Sequence, residues 1–141
     1  MQDQADRFAE FVAAQDEVYP TVLDELRAGE KLTHWMWFIF PQVEGLGHSL
    51  MARKFAIHSK EEALAFLAHR CLGPRLIECT RLVLAFEGKG IREILGHPDH
   101  LKFHSSMTLF SIVSESGSIF HEALAKFFDN RPDVATLHAL K

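Results

Sequence analysis

The segment Thr33-His34-Trp35-Met36-Trp37-Phe38-Ile39-Phe40-Pro41-Gln42 holds both tryptophans of the chain in an apolar run with almost no polar relief. No exposed helix turn or edge strand carries such a run, so it must be buried. At its ends stand His34 and Gln42, side chains that need hydrogen-bond partners when buried and that can also read a ligand. The aromatic content suits a buried strand as well as a buried helix. A lone strand would leave its backbone groups unpaired in the core, and no second convincing strand pattern exists, so the run is assigned to a helix.

Helical periods fill the rest of the chain. Phe8, Phe11 and Val12 mark an amphipathic helix from Asp3 to Gln15; Tyr19-Pro20 interrupts it, and Val22, Leu23 and Leu26 begin a second short period that stops at Gly29. Gly45-Leu46-Gly47-His48 reads as a tight loop, with Ser49 capping a helix that carries Leu50, Met51 and Phe55. Ser59-Lys60-Glu61-Glu62 reads as a capping box, and Gly73-Pro74 as the end of that helix and the start of a long one closed by Gly88. A short helix closed by Gly96, another opened by Pro98-Asp99, one from Ser118 to Phe128 and a short tail helix complete the pattern. The expectation is an all-α fold, one compact multi-helix domain over residues 1–141.

Charge and cysteine usage narrow the function classes. A net charge of -4 with a pI near 6.1 provides no general basic field, which disfavours broad nucleic-acid binding but leaves room for a local pocket for a small anion. Cys71 and Cys79 match no zinc or redox motif, so free thiols and a cytoplasmic setting are expected. The acidic N-terminus has no apolar signal segment, and the longest apolar run is too short for a membrane span.

Projected on a helix, the stretch Asp99–Val113 divides its polar residues into two sets. His100, His104, Thr108 and Ser111 share one stripe, read as the solvent face. Asp99, Lys102, Ser105 and Ser106 are interleaved with Leu101, Phe103, Leu109 and Phe110, on what should be core. Burying an acid, an amine and two hydroxyls without partners would cost kilocalories each. Either they are satisfied within the helix and its cap, or they line a pocket in which Lys102, Ser105 and Ser106 bind an anionic or hydroxylated ligand and Asp99 orients it or accepts a proton.

A tryptophan face, Trp35 or Trp37, beside His34 and Gln42 would suit a planar ring, although this density of aromatics is also what a plain core looks like. The loop Gly45, Gly47 and Ser49 ahead of a helix has the physics of a phosphate cradle, without a dinucleotide or P-loop fingerprint. His100 and His104 have the spacing of a chelating pair, but no carboxylate completes a set, so no metal is assigned. No cofactor motif is evident either, nor a serine elbow or reactive-thiol context.

His34 through Gln42 with Gly45-Leu46-Gly47, then Leu72-Gly73-Pro74-Arg75-Leu76, then Ile94-Leu95-Gly96 with Asp99, Lys102 and Ser105-Ser106-Met107-Thr108-Leu109-Phe110 resemble a bacterial domain-of-unknown-function family of small, mainly helical proteins. The likeness runs from about Phe8 to Leu137 and implies an all-α fold and a set of motif positions rather than an activity. Members are sometimes labelled calpastatin-like, a label that a compact, aromatic-rich chain does not fit, since calpastatin is disordered.

The expectation is therefore a protein that binds a small molecule, anionic or nucleotide-like, between the aromatic segment and the helix starting at Asp99. If it is a hydrolase for a nucleotide or ADP-ribose-type ligand, His34 and Asp99 are the acid–base candidates. The alternative is a non-catalytic module for protein interaction or homodimerisation, with the polar residues forming a satisfied buried network.

Overall fold

Helix α1 (Gln4–Ala28) starts where the Asp3 carboxylate accepts the Asp6 amide at 2.8 Å and stops at Gly29, whose φ of 68° puts it in the left-handed region. The computed structural model describes residues 3–141. Contrary to the two-helix expectation, α1 runs straight through Pro20. A proline inside a helix costs roughly 3 kcal/mol, and the burial of one continuous face, with Phe8 and Phe11 against Phe66, Val22 and Leu26 in the core and the helix packed on α5, outweighs it.

The aromatic run forms one helical turn, α2 (Met36–Ile39), held from the side by Gln15, whose Nε2 donates to the Phe38 carbonyl at 2.8 Å. After α2 the chain makes a loop whose neck is a parallel bridge between Val43 and Ile57: Ile57 N donates to Gln42 O, and Glu44 N to Ile57 O, both at 2.9 Å. Within the loop lies α3 (Leu50–Lys54), capped by Ser49 as expected, while Leu50 points to solvent, Met51 packs against the core partly buried and Phe55 enters it.

Ser59 caps α4 (Lys60–Ala68), but the capping box is incomplete: the Glu62 carboxylate turns to the His58 amide at 3.1 Å and to the buried guanidinium of Arg7. The next boundary falls earlier than the Gly73-Pro74 reading. His69 Nδ1 accepts the amides of Cys71 and Leu72 at 3.1 and 3.2 Å, and α5 (Leu72–Ala85) takes Gly73 and Pro74 into its first turn. A Cβ at Gly73 would lie 2.0 Å from the Leu67 carbonyl oxygen, so the close crossing of α4 and α5 requires glycine there.

Beyond α5 come α6 (Ile91–Leu95), α7 (Asp99–Ile112), α8 (Ile119–Phe127) and α9 (Val134–Ala139). The fold is all-α; among the described residues there is no strand beyond the single bridge, and no helix is long and apolar enough to cross a membrane. Helix α7 is the axis, contacted by α2, α4, α6, α8 and α9. That enclosure overturns the solvent-face reading of the stripe that carries His104, Thr108 and Ser111. Thr108 and Ser111 are buried, and His104 stacks on Phe128 at 4.0 Å while its Nε2 meets the Arg131 carbonyl at 2.8 Å. The segment that covers this stripe is latched by Asp133, whose amide donates to Thr108 Oγ1 and whose carboxylate caps α9.

Candidate functional site

The two tryptophans of the aromatic run, one on either side of Met36, end in different surroundings. Trp35 is 0% exposed. Its Nε1 donates to Glu25 Oε1 at 2.9 Å, and the Lys31 ammonium lies 5.0 Å from its ring centre. Glu25, on the buried face of α1 beside Val22 and Leu26, also accepts the amides of Leu32 and Thr33 and the Thr33 hydroxyl. Burial is the largest influence on this carboxyl and pushes its pKa up, but the hydrogen bonds from Thr33, Leu32 and Trp35 together hold it below the ordinary glutamate value. Trp35 only borders a neighbouring cavity, with no exposed surface and its indole N–H already committed, which corrects its expected stacking role.

Trp37 is half-buried and lines a cavity of about 370 Å³ between α2, the loop after it, α3 and the start of α7. Gln42, Gly45 and Gly47 line the same cavity, as do Phe40, Phe55 and Lys102. Neither the Gln42 amide nor the Trp37 indole N–H has a hydrogen-bond partner among the described residues. The Lys102 ammonium sits 5.7 Å from the centre of the Trp37 ring and 3.7 Å from Asp99 Oδ1. Arg53, exposed on α3, adds a second cation at the rim. A planar apolar wall, an uncommitted amide and two cations, Lys102 and Arg53, against the single carboxylate of Glu44 at the rim together provide what a flat, charged small molecule needs.

His34 and Asp99 line a neighbouring cavity of about 340 Å³ that shares Met36, Trp37 and Lys102 with the first. His34 is exposed, and Asp99 is bonded to Lys31, with Asp99 Oδ2 and Lys31 Nζ 2.7 Å apart. Sequence reasoning does not single out Lys31, and nothing in its neighbours along the chain marks it. It misses Glu25 too, although the place of that residue three positions after Val22 and next to Leu26, inside the apolar stripe, is a readable signal.

Three other expected residues lie away from these cavities or are otherwise engaged. Ser49 is spent on capping α3, a helix of 5 residues, too short to build a phosphate cradle at its start. Ser105 donates to the Leu101 carbonyl at 3.2 Å and to Asp133 Oδ2 at 2.9 Å, tying α7 to α9. Ser106 is fully buried with its hydroxyl unpartnered and borders none of the cavities described. Burial, the leading influence, pushes the Cys79 thiol up to about 12, unsuited to a nucleophile. Among the described residues no group of three or more His, Cys, Asp or Glu is placed to hold a metal.

The profile of the family DUF1810, described as a protein of unknown function, matches residues 5–140. The crystal structure of the conserved hypothetical protein Rv1873 from Mycobacterium tuberculosis is similar to this chain at 50% identity and a TM-score of 0.91, with 94% of each chain covered. No curated protein matches.

Proposed function

Because the chain belongs to the DUF1810 family, whose description leaves function open, we propose from the chemistry of its first cavity that the protein binds a small planar anion there, of the nucleotide or ADP-ribose type. The observation that carries this reading is the meeting of Trp37, Gln42 and Lys102 on one cavity, with the amide and the indole N–H unpartnered. A cavity of about 370 Å³ is of the size that ligand pockets take. The ring stacks on Trp37, the Gln42 amide reads its edge, and Lys102 with Arg53 meets the charge. Two free cysteines suit a reducing cytoplasmic setting for that work.

The test is a thermal-unfolding screen against adenosine 5′-monophosphate, ADP-ribose, ribose 5-phosphate and uncharged adenosine. A ligand at a hundred times its dissociation constant adds about 2.7 kcal/mol to stability. Wild type is expected to respond to the charged adenine compounds and Trp37→Ala to lose the response. Normal unfolding with no response to any of the four would sink the reading and favour a non-catalytic interaction or dimerisation module.

Acid–base hydrolysis is a second reading, supported by the placement of His34 and Asp99 on the adjoining cavity. It expects His34→Ala to retain binding and to lose product formation, followed by chromatography of the incubated ligand. Equal turnover in wild type and variant would remove His34 from the chemistry.

A further inference from the structure

Three formal charges meet at the start of α7: the ammonium groups of Lys31 and Lys102 and the carboxylate between them, Asp99. The two halves of this set are unequal. Lys31 Nζ lies 2.7 Å from Asp99 Oδ2, its side chain is 6% exposed, and it donates a further hydrogen bond to the Thr33 carbonyl at 2.6 Å. Lys102 Nζ lies 3.7 Å from Asp99 Oδ1, beyond hydrogen-bond distance, and its side chain is 29% exposed. Two cations share one anion, so one positive charge is left over. Its place is the more distant and more solvated ammonium, Lys102, the one that lines the cavity beside Trp37.

We propose that Lys31 is a positioning residue that saturates Asp99 and so keeps the charge of Lys102 free for the anionic group of the ligand. The inference rests on the first cavity being the anion site. Without Lys31, Lys102 would be the one lysine or arginine paired with Asp99 among the described residues, and it would turn from the cavity to the carboxylate, because a half-buried carboxylate that loses its partner takes the nearest cation. The aspartate alone would hold Lys102 back; the Lys31–Asp99 pair presents it. The ligand then needs a localised negative group at the edge of its ring, and an uncharged analogue should be indifferent to Lys31.

Isothermal titration of the full chain with adenosine 5′-monophosphate, with adenosine as the uncharged control, tests this. Lys102→Met should weaken the monophosphate at least about tenfold, and Lys31→Met by a similar factor, since each removes the same free charge from the cavity. Asp99→Asn should bind as tightly as wild type or tighter. The double variant Lys31→Met/Asp99→Asn should return to within about threefold of wild type, because neither its cation nor its competitor remains. Adenosine should bind all four alike. Should Lys31→Met alone fail to fold, the double variant, which leaves no unpaired carboxylate, carries the comparison.

If wild type binds the monophosphate and Lys102→Met does not, while Lys31→Met binds normally, the role assigned to Lys31 is overturned and the anion site stands. That role is overturned as well if the double variant stays weak or if adenosine weakens in parallel, since either outcome marks a merely structural lysine. If wild type binds no monophosphate, the site reading falls and takes this inference with it.

Discussion

Trp35 and Trp37 belong to one apolar run, and each carries a lysine ammonium over its ring. On the Trp35 side the buried polar groups are answered: the indole N–H by Glu25, Lys31 by Asp99 and the Thr33 carbonyl. On the Trp37 side the indole N–H and the Gln42 amide have no partner among the described residues, and Lys102 holds Asp99 only at 3.7 Å. Residue type is the same in both places. What separates scaffold from candidate site is whether hydrogen-bonding and charge demands are met within the chain, since, the buried Ser106 hydroxyl apart, unmet demands sit where water or a ligand can meet them.

The largest expected effect lies on the scaffold side. Trp35→Ala removes an enclosed indole and should cost about 3–5 kcal/mol in urea unfolding; a loss below about 1 kcal/mol would break the contrast. Next comes Glu25→Gln, which replaces a carboxylate accepting from Trp35, Leu32 and Thr33 by an amide that accepts with only one oxygen, at a cost of about 2–3 kcal/mol. Because the Glu25 pKa is lower in the fold than its ordinary value of 4.5, the wild-type contribution is fully present above 4.5 and is lost as pH falls through the folded value. The variant should show a shallower acid-side decline, and an unchanged one would mean that Glu25 is not held as the anion.

Effects on stability should shrink on the other side while those on binding grow. Trp37→Ala is expected to cost about 1 kcal/mol, from a ring already half in water, and to abolish the ligand-induced rise in melting temperature. Smallest is Lys102→Met, within about 0.5 kcal/mol of wild type in unfolding, with binding of the charged ligand weakened at least about tenfold. Equal destabilisation by Trp37→Ala and Trp35→Ala would turn the cavity wall into ordinary core.

The all-α class and the caps at Gly29, Ser49, Ser59 and Gly96 were legible because each is a local device: one side chain or one φ value decides it. Pro20 misled because its cost is local and the packing that offsets it comes from α5, far along the chain. The stripes of α7 misled for a related reason. A helix enclosed by five others has no broad solvent face for periodicity to find, and Thr108 and Ser111 return their hydroxyl protons to the helix carbonyls of His104 and Thr108. Trp37, Gln42 and Lys102 could be suspected from chemistry that sits oddly in apolar surroundings. Lys31 could not, because its importance comes from a 2.7 Å approach to a residue 68 positions away.

The bridge between Val43 and Ile57 has a consequence for the chain between them. Backbone hydrogen bonds close the neck on both sides of that pair, while the far end carries Leu50 at 86% exposure. A protease that clipped the chain near Leu50 would release no fragment, and the severed ends would stay clasped at the base, with Phe55 still anchored in the interior. Gel electrophoresis under denaturing conditions would reveal two pieces where a sizing column still finds one particle.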